Sequence, residues 1–380
     1  MKIALVHDQM REFGGAERVL VALKKIYPDA DVFTAYYDKK TFDSHGINSQ
    51  KWNIKTSWFD KIPVIRKLYS PLRFITPLIW ESFDFASYNL VISSTGTMMC
   101  KGIITKPNTL HISYIHHPPR YLYYYETALE WQKYLFIRIY GHIINKGLRI
   151  WDYLSSQRPD YFISNSQETT KRVQKFYRRD STIIYPPVDL PPPSTAYTIQ
   201  PTTYFIIVSR LAGAKHIDLL IKTANKLKIN LKVVGKGRQE EYLRTIAGPT
   251  VEIITDADDI RRNELLKNAT AFLFSSINEE FGIAPVEALG YGVPVIAYAS
   301  GGLKETIQNG VNGYLYNNLT EESIKEAIIK MQSLDIHSFI TMRKNARTSA
   351  EQYSFEVFKQ KITSFVDDKL LHNNIVVYPS

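Results

Sequence analysis

Two carboxylates and two cations carry the clearest chemical signal in this sequence. Glu279 and Glu287 stand eight positions apart in NEEFGIAPVEALGYGVPVIAY, a run that leaves an apolar strand and enters a helix near Pro285–Glu287. A helix start with Gly282 just ahead offers unpaired backbone N–H groups and a positive dipole end, which suits a diphosphate. An ionised carboxylate only accepts hydrogen bonds, so both glutamates can hold sugar hydroxyls. The plainer alternative makes Glu279 a solvated loop residue and Glu287 a first-turn charge complementing the dipole. Arg210 and Lys215, in VSRLAGAKHIDLLI, follow the strand that opens the second half. Two cations on a strand-to-helix turn can clamp a pair of phosphates, although an ordinary basic surface turn carries the same residues. Gly235, in Gly235-Lys236-Gly237, ends the next strand and would let backbone approach a nucleotide base.

The first half offers weaker signals. Phe13-Gly14-Gly15-Ala16-Glu17 follows the first strand but lacks the G-x-G-x-x-G spacing of a dinucleotide site. Gly14 and Gly15 can still bring backbone N–H groups to an anion. His116-His117-Pro118-Pro119-Arg120 ends a strand, where an imidazole can bond a sugar hydroxyl or a departing group. One of the two histidines is expected to be structural. Asp256-Ala257-Asp258-Asp259 resembles an acidic metal motif, yet its place ahead of a helix favours capping. The nine histidines show no H-E-x-x-H or other paired spacing, so no metal is expected.

Elements able to position these groups alternate along the chain. Apolar runs at Lys2–His7, Asp31–Tyr36, Leu90–Ser94, His111–Ile115 and Tyr161–Asn165 read as strands of one sheet. Tyr204–Ser209, Leu231–Gly235, Val251–Thr255, Ala271–Ser276 and Pro294–Tyr298 read as strands of another. Helical stretches such as Ala16–Ile26, His216–Leu227 and Arg261–Lys267 lie between them. Near-continuous apolar strands with helical crossovers predict an α/β fold of two Rossmann-like domains, with ligands at the carboxyl ends of the strands and in a cleft between the sheets. Tyr185–Pro201, with six prolines, reads as a semi-rigid linker. It sets domains of 1–190 and 191–354, with a C-terminal helix near 355–380 able to pack back on the first.

A chain of 380 residues suits two domains, and 44% hydrophobic with 22% charged residues is a globular composition. No apolar run approaches the length of a membrane span. The single cysteine, Cys100, excludes an internal disulfide framework and makes a cytoplasmic location the default. The net charge of 47 − 37 = +10 is unevenly spread: residues 1–190 hold 26 Lys and Arg against 17 acids, the rest 21 against 20. Lys51–Arg73 is the densest basic stretch, with six cations against one acid and Trp52, Trp58, Phe59 and Tyr69 interleaved. Cations with exposed aromatics suit an anionic membrane surface, through Lys51, Trp58, Lys61, Arg66 and Lys67, whereas a solvated basic helix with its aromatics in the core would not dock.

With these residues assembled, the chain closely resembles glycosyltransferase family 4, whose members are retaining, nucleotide-sugar-dependent enzymes of GT-B fold. The resemblance runs from GGAERVL through YIHHPPRY, YPPVD, SRLAGAK, EEFGIAPVEAL and GGLKETI to NGYLY. VISSTGT, HISYIHHPPRY and YPPVD look most like GDP-mannose-dependent mannosyltransferases of bacterial surface polysaccharides such as O-antigen. The resemblance implies that Glu287 holds the ribose and Glu279 the donor sugar, supported by backbone N–H groups of Phe281, Gly282 and Ile283. It implies that Arg210 and Lys215 neutralise the diphosphate, that Gly15 approaches the same phosphate, and that His116 binds a donor-sugar hydroxyl. Arg120 joins the basic residues on the acceptor side. No metal or separate cofactor is implied; the nucleotide sugar is a co-substrate, and the acceptor is lipid-linked or a glycan. Lys215-His216 replaces a frequent Lys-Gly, and Lys236 stands where Asp is common, which leaves donor identity open between GDP-mannose and a UDP-sugar. A nucleic-acid-binding protein would need a basic stripe on a binding module, and none is visible. A nucleotide-sugar epimerase of the same fold would release altered sugar without an acceptor.

Overall fold

The computed structural model describes residues 1–64, 68–125, 134–192 and 204–373. The chain forms two compact units, Met1–Pro187 with Phe355–Ser380, and Val188–Ser354. The first holds a seven-stranded sheet of β1 (Ile3–His7), β2 (Asp31–Thr34), β3 (Ile54–Thr56), β4 (Leu90–Thr95), β5 (Leu110–Ile115), β6 (Tyr161–Ser164) and β7 (Thr182–Ile183), in the order β3-β2-β1-β4-β5-β6-β7. The second holds β8 (Tyr204–Val208), β9 (Asn230–Val234), β10 (Val251–Ile254), β11 (Phe272–Phe274), β12 (Val295–Tyr298) and β13 (Gly313–Tyr316), in the order β10-β9-β8-β11-β12-β13. Every paired strand is parallel. Helices cover both faces, so β4 and β5 are buried along their whole length. The α/β class expected from the sequence is the one observed.

Strand order reverses between β1 and β4 in the first unit and between β8 and β11 in the second. Chain connections leave such a point in opposite directions and open a crevice at the carboxyl ends. The second unit is closed on one side by a core that includes Leu220, Ile221, Leu273 and Phe339. Helix Phe355–His372 belongs to the first unit: Phe358, Ile362, Val366 and Leu370, four residues apart, lie in one buried cluster with Val19, Leu20 and Leu23 of helix Gly15–Ile26.

Three features go beyond the sequence reading. The proline stretch is anchored where it begins: Pro186, Pro187 and Pro191 are buried. Val188 N–H donates to the Tyr353 carbonyl at 2.8 Å, and the Arg347 guanidinium donates to the Pro191 carbonyl at 2.8 Å. Residues 193–203 lie outside the described residues. Lys51–Arg73 is not one basic helix; β3 and the short turn Trp58–Lys61 interrupt it. Its aromatics are divided, because Phe59 is buried, Trp52 and Tyr69 pack against cores, and Trp58 is exposed. Strands β3, β7 and β13 escaped the sequence reading, being only two to four residues long.

Candidate active site

In the second unit the loops after β8 and β11 meet at the reversal point. Lys215 Nζ reaches Glu279 Oε2 at 2.5 Å and Ser276 Oγ at 3.2 Å. The Ser276 hydroxyl donates to the same Oε2 at 2.9 Å. The Ser275 hydroxyl donates to the Lys215 carbonyl at 2.7 Å, tying one loop to the other. The cation and the first carboxylate singled out from sequence are therefore held together by two serines on one turn. Arg210 is exposed on the same loop, five positions before Lys215.

Glu279 is fixed through its backbone as well. Gly302 N–H donates to the Glu279 carbonyl at 2.9 Å. Gly301 has φ +56, and a Cβ there would stand 2.0 Å from that same carbonyl oxygen, so only glycine fits. The helix that follows runs Ile283–Gly290, with Gly282 as its N-cap. Its first N–H groups have no intrahelical partners, and Pro285 in the first turn gives up no helical hydrogen bond. Phe281 is buried edge-on to Tyr353, at 5.1 Å between centroids. Glu287 is buried and is the fifth residue of the helix, beyond the first turn. The first-turn dipole role considered for it is thereby corrected. At Gly235, with φ +147, a Cβ would lie 1.9 Å from the Ser209 carbonyl oxygen, so the neighbouring strand end already requires a glycine there. Asp258 caps helix Asp259–Lys267 by accepting from Arg261 N–H at 2.8 Å.

The reversal point of the first unit carries a chain of buried polar side chains. Glu17 Oε1 lies 3.5 Å from His7 Nε2, His7 Nδ1 lies 3.0 Å from Ser94 Oγ, and Ser94 Oγ lies 2.7 Å from His116 Nε2. These residues join the carboxyl ends of β1, β4 and β5 to helix Gly15–Ile26. The His116 carbonyl accepts from the Thr169 hydroxyl at 3.2 Å. His117 is less buried, with Nδ1 3.0 Å from the Pro118 carbonyl. Gly14 donates its N–H to Glu17 Oε2 at 2.8 Å, so that donor serves the helix cap in this state, and Gly15 opens the helix. Asp8 accepts three backbone N–H groups, from Gly96, Met98 and Cys100 at 2.8, 2.8 and 2.9 Å, which fixes the loop after β4. The Cys100 thiol is pushed up by burial and by the nearby Asp8 carboxylate, so it is no reactive thiolate.

His7, Asp8, Glu17 and Ser94 were missed as site residues. The available signal was the polar ending of two apolar strands, His7 closing β1 with Asp8 next to it, and Ser-Ser-Thr in β4. Of the acceptor-side candidates, Lys51 and Lys61 are exposed, Trp58 stacks on Phe59 at 3.5 Å, and Arg120 is half-buried. Arg66 and Lys67 lie outside the described residues. Among the described residues, no three His, Cys, Asp or Glu side chains gather as a metal site would require.

Residues 198–353 match the family model described as Glycosyl transferases group 1. The match falls within the second unit, Val188–Ser354. Alpha-1,3/1,6-mannosyltransferase alg2 of Schizosaccharomyces pombe is 24% identical over 380 residues, covering 83% of this chain and 70% of alg2. Glycogen synthase of Pseudomonas syringae pv. syringae is 28% identical over 183 residues, which is 46% of this chain but only 37% of the synthase. The solved structure of Anabaena HepE in complex with UDP superposes with a TM-score of 0.71 at 20% identity, covering 97% of this chain and 100% of HepE. Sucrose-phosphate synthase from Thermosynechococcus elongatus gives a TM-score of 0.70 at 15% identity, covering 98% of this chain and 100% of that one. The fold is GT-B, with the matched residues in its second α/β unit.

Proposed function

We propose that the chain is a retaining glycosyltransferase that moves mannose from GDP-mannose, with an α-linkage, onto a lipid-linked or polysaccharide acceptor. The observation that carries this reading is the Lys215–Glu279 pair at the β8–β11 reversal, ahead of the helix that begins at Ile283. A cation and a helix N-terminus favour a diphosphate there, and carboxylates beside them favour hydroxyls. In this reading the bond from the anomeric carbon to the β-phosphate oxygen breaks with its electron pair passing to the phosphate. Lys215, Arg210 and the N–H groups of Gly282 and Ile283 stabilise that charge as it develops. The acceptor oxygen bonds to the anomeric carbon on the same face, and its proton passes to the departing phosphate. Glu287 binds the ribose, Glu279 orients the sugar, and His116, with its ring held by Ser94, meets a sugar hydroxyl.

The mannose donor is supported by the motif resemblance and by the alg2 relative, a mannosyltransferase by name. A second reading, a UDP-sugar donor, is supported by HepE, solved with UDP and with UDP-glucose. Calorimetric titration with GDP-mannose, UDP-glucose and ADP-glucose separates them, and a preference for a UDP-sugar defeats the mannose assignment. Lys215→Ala and Glu287→Ala are each expected to lower transfer by about 100-fold or more while circular dichroism stays unchanged. Normal turnover in both variants overturns the transferase reading.

A further inference from the structure

Helix Leu135–Ser155 of the first unit is inside out. Its inward residues are Gly141, Asn145, Leu148, Asp152 and Ser155, mostly small or polar. Its outward face carries Phe136, Ile139, Ile143, Ile150 and Leu154, of which Phe136 is 84% and Ile143 68% exposed. A helix on a water-soluble surface has the opposite arrangement. The inward polar groups have partners that keep the helix from turning over. Asp152 pairs with the Lys101 ammonium, both fully buried, and accepts from the Tyr123 hydroxyl at 2.7 Å and the Tyr177 hydroxyl at 3.3 Å. Asn145 donates to the Tyr121 carbonyl at 3.2 Å. Rotating the helix to bury its apolar face would strand a buried charge.

We propose that this helix is the surface by which the protein docks, lying flat, on an anionic lipid bilayer. Three observations choose this occupant. Arg138, His142 and Lys146, spaced by four, form an exposed row along one flank of the apolar stripe, and the helix has no exposed acid. Such a row beside a bulky apolar face fits anionic headgroups above acyl chains. The apolar surface continues onto the neighbouring segment, where the Tyr140 hydroxyl donates to the Pro71 carbonyl and Phe74 and Leu78 are exposed. Another copy of the unit would bring like charges together, since residues 1–190 carry 26 cations against 17 acids. No helix among the described residues is long and apolar enough to cross a membrane. The docking face is thus placed on Leu135–Ser155, a different element from the basic Lys51–Arg73 stretch. The proposal stands independently of the transferase reading, because its readout is binding.

The test is co-sedimentation of the full chain with vesicles of phosphatidylcholine alone and of phosphatidylcholine with phosphatidylglycerol. The wild type is expected to favour the anionic vesicles at least tenfold, less so as salt rises. Phe136→Ser/Ile143→Ser/Ile150→Ser is expected to lose at least tenfold in binding, and Arg138→Glu/Lys146→Glu to lose the anionic preference. All these residues are exposed, so an unchanged thermal transition confirms that the variants fold. Lys51→Glu/Lys61→Glu is expected to bind as the wild type does. Three results overturn the proposal: equal or no partitioning to both vesicles, loss of binding only in the Lys51/Lys61 variant, or a dimer in light scattering that the apolar variant abolishes.

Discussion

Lys215 and Glu279 pair with one another in the absence of a ligand, so on the proposed reading an incoming diphosphate competes with a carboxylate already in place. Exchange of one anionic partner for another leaves the cation compensated throughout, which a site with unpaired charge could not do. His111 shows the reverse strategy at the same scale. Its imidazole bonds to Ser93 Oγ at 2.9 Å, while its buried Nδ1 finds no hydrogen-bond partner among the described residues. Burial, with a smaller push from Arg158, lowers its pKa to about 3. An unfolded histidine takes its proton near pH 6.5, so between about pH 6.5 and 3 the unfolded state binds the extra proton. Stability is therefore lost as pH falls through that window, by about 1.4 kcal/mol per pH unit from this residue. Urea midpoints at pH 7, 6 and 5 are expected to fall less steeply in His111→Gln than in the wild type. Parallel slopes would show that His111 is not the proton-linked group.

Among the elements, the glycine turn after β12 does for Glu279 what a side chain could not. Gly301→Ala must displace the Glu279 carbonyl in addition to adopting a left-handed backbone, whereas Gly310→Ala, at φ +81 with no atom within 4 Å, faces only the backbone cost. That cost is about 1–2 kcal/mol, so Gly310→Ala is expected to lower the urea midpoint modestly and leave nucleotide affinity alone. Gly301→Ala is expected to lose more stability and also weaken nucleotide binding in calorimetry. Equal effects from both would remove the special role of the Gly301 contact. The longer strands and the residues Lys215 and Glu279 were legible because buried parallel strands are continuous apolar runs that end in loops, whereas the short β3, β7 and β13 carry too few residues to show that pattern. Helix Leu135–Ser155 was not. A helical stripe of apolar residues tells which side of a helix is apolar, but which side faces the core depends on Lys101, Tyr123 and Tyr177 reaching Asp152 from distant parts of the chain. The Glu17–His7–Ser94–His116 chain was hidden for the same reason: it is assembled by strand order, from residues scattered over a hundred positions.

For the whole molecule, the decisive feature is that the chain leaves the first unit after Pro187 and returns to it at Phe355. The returning helix contributes four buried apolar side chains, each contributing about 1.5–3 kcal/mol by burial. Ending the chain after Ser354 is expected to lower the melting temperature of the first unit and expose helix Gly15–Ile26 to proteases, while residues 188–354 resist them as before. If the truncated chain melts as the full one does, the helix is dispensable. The same connection sets an order of assembly during synthesis. A ribosome delivers the whole of the second unit before the final helix of the first exists, at roughly 5–20 residues per second. The body of the first unit, translated before the second, waits with an apolar groove open and an apolar outer helix already formed. Its completion is timed by a helix that emerges only after the second unit, so the nascent first unit is the part with most need of a chaperone or of an early encounter with lipid.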